Sequence, residues 1–170
     1  MERSNFDTIK PDFTPLRDLK IGEVVKIDDS EYHINEVVEG ADLAEKFGYK
    51  LNRRVPVYFL DGSSDRAQGG YHPEADIILI FKNMVDQSTI EHEVIHAIEY
   101  HIEPTPGLSA LYEKAKEIIT EDSFKGGFVS NNFRESIHEF IADGKTKIKT
   151  VLENVGLADE FTKETAYIFE

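Results

Sequence analysis

The sequence contains no cysteine. That excludes disulfides, thiolate zinc sites and cysteine catalysis, and leaves the compartment open. Positive charge is also scarce: 19 Lys and Arg stand against 33 Asp and Glu, a formal net charge of -14. Phosphate repels such a surface, so neither nucleic acid nor an anionic membrane is an expected partner. The imbalance mildly favours neutral or basic peptides, and its plain consequence is solubility. No run of 18 or more apolar residues occurs, so no membrane span is expected. The segment Met1 to Phe6 lacks a basic region followed by an apolar core. The expectation is therefore a cytoplasmic protein or the mature form of an exported one. Internal repeats, low-complexity segments and linkers are absent as well.

What is present fits one domain of ordinary apolar and charged content. Residues 1–15 are polar, carry Pro11 and Pro15, and are expected to form an extended N-terminal arm before a single domain over 16–170. Residues 23–28 and 32–38 read as a β-hairpin around a turn-rich Asp28-Asp29-Ser30-Glu31. Leu43, Phe47 and Leu51 mark a short amphipathic helix over 41–51, weakened at Gly48. Strands are expected over 55–60, with Pro56 at an edge or strand entry, and over Ile77 to Phe81. Helices are expected from Ser88 to the Pro104-Thr105-Pro106-Gly107 stop, over 108–120, over 134–149 with a break at Gly144, and over 159–169. Strands come first and helices later, which predicts an α+β domain with a small twisted mixed sheet.

The chemistry is concentrated in His92-Glu93-Val94-Ile95-His96. Histidines four apart stand one above the other on a helix, so both imidazoles can reach one ion. Glu93 is placed to hold a water beside that ion. A bare match to this pattern is a weak signal. Its setting strengthens it: Ser88 as N-cap with Glu91 three residues on makes a capping box, and Ile90, Val94, Ile95 and Ile98 anchor the other faces.

A catalytic zinc takes three protein ligands and keeps one position open. A third histidine six residues beyond His96 is missing, because that position is Ile102 and His101 is out of register. The alternative is a glutamate from a later helix, where Glu135 and Glu139 are candidates. Glu139 is preferred, because Asp143 lies one turn on and could accept the outer N–H of a ligating imidazole.

His92-Glu93 to His96, followed 43 positions later by Glu139 in His138-Glu139-Phe140-Ile141-Ala142-Asp143, resembles the glutamate-ligated zincin metallopeptidases. It is similar to the catalytic domain of anthrax lethal factor and the bacterial Pro-Pro endopeptidases. Gly69-Gly70-Tyr71 resembles the Gly-Gly-Tyr before the edge strand of those enzymes, and the likeness covers about residues 55 to 145. The resemblance implies a zincin-like fold, one Zn2+ on His92, His96 and Glu139, and peptide hydrolysis with Glu93 as general base. It also implies that Ile77 to Phe81 is an edge on which substrate adds as a strand. The relatives carry an oxyanion-stabilising tyrosine seven residues before the ligand glutamate, where this chain has Asn132. Asn132, Tyr71 and His72 are the candidates for substrate or oxyanion contact, with Tyr100, Tyr112 and Tyr167 as further phenols. Two other functions fit the same residues. One is an intracellular zincin that cleaves a repressor-like protein. The other is a catalytically weak zinc-containing peptide-binding module.

Overall fold

A computed structural model of the chain describes residues 18–27, 30–61, 69–81, 86–124 and 132–169. The N-terminal arm and most of the 61–70 and 123–132 loops lie outside these. The described residues form an α+β fold with one five-stranded mixed sheet and six helices. The chain divides into two compact units, 1–97 and 98–170. Among the described residues no helix is long and apolar enough to cross a membrane.

The first unit holds the sheet. β1 (Val24–Ile27) and β2 (Ser30–Glu39) form the expected antiparallel hairpin. α1 (Gly40–Lys46) follows β2 without a break. Gly40 is required at this junction, since a Cβ there would lie 2.7 Å from the Val55 carbonyl oxygen. The helix is shorter than the 41–51 expected. Gly48, at φ +90°, turns the chain out of the helix in a left-handed conformation that glycine adopts without strain.

β3 (Pro56–Leu60) lies inside the sheet, with Pro56 at strand entry. β4 (Gly69–His72) and β5 (Ile77–Phe81) are joined by a tight turn through Asp76. The strand order is β1-β2-β3-β5-β4. β5 runs parallel to β3 and antiparallel to β4. Ile77 to Phe81 is therefore an interior strand, and the expectation that it is an edge is wrong. All five of its residues are buried, as an apolar run flanked on both sides requires. The edge position belongs to β4, too short and glycine-rich to read as a strand. Ile77, Leu79 and Phe81 join Val25, Ile34, Tyr58 and Leu60 in one apolar cluster, with Tyr32 edge-on to Phe81.

α2 (Gln87–Glu99) carries the histidine pair. Its start is capped by Asp86, whose carboxylate accepts the Thr89 N–H at 2.9 Å and the Thr89 hydroxyl at 3.1 Å. The expected Ser88–Glu91 box is not used. Aspartate is as good a cap as serine and lies two residues earlier, and Glu91 instead accepts the Tyr49 hydroxyl at 2.7 Å.

The second unit is helical. α3 (Pro106–Ile118) begins at Pro106, so that residue opens this helix as well as following the last. Thr105 caps it by accepting the Leu108 N–H, and proline suits a first turn that has no intrahelical use for its N–H. Arg134 donates to the Lys116 and Ile119 carbonyls, closing the carbonyl end of α3. α4 (Ile137–Lys145), α5 (Lys149–Asn154) and α6 (Ala158–Phe169) complete the unit. The single helix expected over 134–149 is thus shorter, because Ser136 caps α4 and α5 starts anew at Lys149. Gly144 does not break α4. Its missing side chain admits Phe161, whose ring would stand 2.3 Å from a Cβ there. Phe140 packs edge-on to Phe161 and beside Tyr112 and Phe133.

Candidate metal centre

Local helical geometry explains the first two donors. Val94, Ile95 and Ala97 are fully buried, which fixes the rotation of α2 about its axis. His92 and His96 then share a face one turn apart, and both are buried. Their Nε2 atoms stand 3.1 Å apart, with the rings at 86° to each other. Two nitrogens each about 2.0–2.1 Å from a tetrahedral ion would stand about 3.3 Å apart, so the spacing suits shared coordination.

Glu93 is buried beside them. Its Oε1 accepts the backbone N–H of Tyr71, on edge strand β4, at 3.0 Å. The Tyr71 hydroxyl donates to Asp76 at 2.7 Å and receives a bond from Arg53 at 3.2 Å. Burial, followed by the Asp76 carboxylate, pushes this phenol well above its ordinary range and keeps it protonated. His72 is half-buried at the end of β4, with its Nε2 alongside Gly70.

In the second unit, Glu139 occupies the first turn of α4, and its N–H is capped by the Ser136 hydroxyl at 3.2 Å. A carboxylate in a first turn is favoured by the helix dipole. Glu135 precedes the helix and is exposed, so it does not share a helical face with Glu139. Asp143 is fully buried on α4. Asn132 is exposed in a short 3-10 turn. Tyr112 donates its hydroxyl to the Arg134 carbonyl, and Tyr167 donates to the Glu103 carbonyl while accepting the Thr105 N–H.

His92 and His96, in the first unit, offer two imidazole nitrogens, and Glu139, in the second, offers a carboxylate oxygen; these are donor types that could hold a metal ion. Two imidazoles and one carboxylate are a donor set that suits zinc and leaves a coordination position unfilled by protein.

Sequence reasoning missed Glu99 and Arg53. Glu99 is fully buried and accepts from His138 Nδ1 at 2.6 Å, while Tyr100 stacks on the His138 ring at 4.7 Å. A glutamate seven residues after His92 and three after His96, on the face of the histidine pair, was the available signal. Arg53 had none, since its partners lie 18 to 44 residues away.

Comparison with family models, curated proteins and solved structures yields no match.

Proposed function

We propose that the chain is a zinc-dependent endopeptidase of the glutamate-ligated zincin type. The observation that carries this reading is the buried His92–His96 pair, with Nε2 atoms 3.1 Å apart and Glu93 buried next to His92, and with Glu139 as the candidate third donor. His92, His96 and Glu139 would hold the ion. When bound, zinc lowers the pKa of a coordinated water and polarises a carbonyl oxygen. Glu93 takes the proton of that water and delivers it to the leaving nitrogen. The Tyr71 N–H keeps the Glu93 carboxylate aimed. A peptide substrate adds to β4, the outermost strand on this side among the described residues, by main-chain hydrogen bonding.

A peptide library incubated with the zinc-loaded protein and read by mass spectrometry tests the reading. Cleavage that is abolished by chelation, restored by zinc and absent in Glu93→Ala is the expected result. The second reading, a peptide-binding module, is favoured by the engagement of the Tyr71, Tyr112 and Tyr167 hydroxyls elsewhere. Tight peptide capture with no new termini would decide for it.

A further inference from the structure

Arg53 belongs to no motif, yet it bonds Tyr71, Asp76 and Ala97, on the two elements that flank Glu93. Its Nε and Nη2 donate to the two carboxylate oxygens of Asp76, each at 2.7 Å. Nη2 also donates to the Tyr71 hydroxyl at 3.2 Å and to the Ala97 carbonyl at 2.8 Å. Asp76 sits at φ 56° in the turn between β4 and β5, and its N–H closes that turn on the His72 carbonyl at 2.8 Å. The same carboxylate accepts the Tyr71 hydroxyl.

Two elements are fastened to this one guanidinium. The first is β4, gripped through the Tyr71 ring and the Asp76 turn. The second is α2, gripped at Ala97, in its last turn, where carbonyls have no continuing helix to donate to them. Ala97 is one turn beyond Glu93 and on the same face of α2. The bond from the Tyr71 N–H to Glu93 Oε1 joins the same two elements, β4 and α2. β4 has four residues and, among the described residues, one sheet neighbour, so its own ladder fixes it weakly.

We propose that Arg53, with Asp76, is a positioning device for Glu93: it holds the Tyr71 amide against the Glu93 carboxylate and so sets the direction of the general base. The proposal rests on the reading of Glu93 as that base. Arg53 acts through Tyr71, which its guanidinium contacts. A lysine cannot replace it, because the ammonium lacks the planar fork that spans both Asp76 oxygens.

The test uses the full-length, zinc-loaded chain and the variants Arg53→Lys and Asp76→Asn, with Tyr71→Phe as a milder third. The Tyr71 amide proton is read by NMR, for chemical shift and exchange rate. Peptide cleavage is read as separate kcat and KM. The expected result is an upfield shift and at least about ten-fold faster exchange of that amide in all three variants. A fall in kcat of about ten-fold accompanies it, with KM nearly unchanged and zinc content retained. A purely structural role would lower the melting temperature and leave the amide and kcat where they are. An unmoved Tyr71 amide in folded Arg53→Lys and Asp76→Asn overturns the proposal, and so does an unchanged kcat once the amide has moved. A wild-type chain that cleaves no peptide removes the proposed activity, and the claim that Arg53 sets the direction of a general base falls with it. The amide readout then shows whether the failure stops at the chemistry or extends to the Tyr71–Glu93 bond itself.

Discussion

His92 and His96 are held in register by a single turn of α2, whereas the position of Glu139 depends on where a separate helix begins. The pair needs only that α2 be a helix and keep Val94 and Ile95 buried. Glu139 needs Ser136 to start α4 at the right residue, and it stands next to His138, which is bound to the buried Glu99. The difference teaches that a two-ligand motif within one helix is a local property, set by periodicity. A ligand from another helix is set by capping and by contacts distant in sequence.

Substitutions should separate the two kinds of control. The largest expected effect is on the helix that carries the pair. Ile95→Ala removes a fully buried side chain and should cost about 2–5 kcal/mol of stability in denaturant unfolding. Removing the distant donor comes next. Glu139→Ala should weaken zinc, measured by chelator competition, by more than the roughly 10–100-fold that loss of an outer hydrogen-bond partner costs. His138→Ala takes away a partner of the buried Glu99 carboxylate and should destabilise the chain by about 1–3 kcal/mol. Ser136→Ala should cost about 1 kcal/mol, read as a lower urea midpoint. If Ser136→Ala also weakens zinc while Ile95→Ala does not, helix initiation controls the third donor, as the comparison holds. The reverse pattern would break it.

The same division explains how much was legible in the sequence. Apolar runs and periodicity marked β3, β5 and the helices, because these patterns are local. Strand order was not legible: Ile77 to Phe81 looked like an edge by resemblance, and only pairing with β3 and β4 places it inside. The Asp86 cap lost to Ser88 in sequence because either residue type serves. Ser136-Ile137-His138-Glu139 carried a readable cap signal that would have set the start of α4 and separated Glu139 from Glu135. The Arg53–Asp76 and Glu99–His138 pairs are 23 and 39 residues apart and belong to tertiary structure alone.

The central claim is that His92, His96 and Glu139 bind one ion. Its most direct test is the zinc content and affinity of dialysed wild type beside Glu93→Gln and Glu139→Ala. One zinc per chain in wild type and in Glu93→Gln, with affinity strongly reduced in Glu139→Ala, is the predicted result. Wild type without zinc affinity, or Glu139→Ala binding as tightly as wild type, would contradict it.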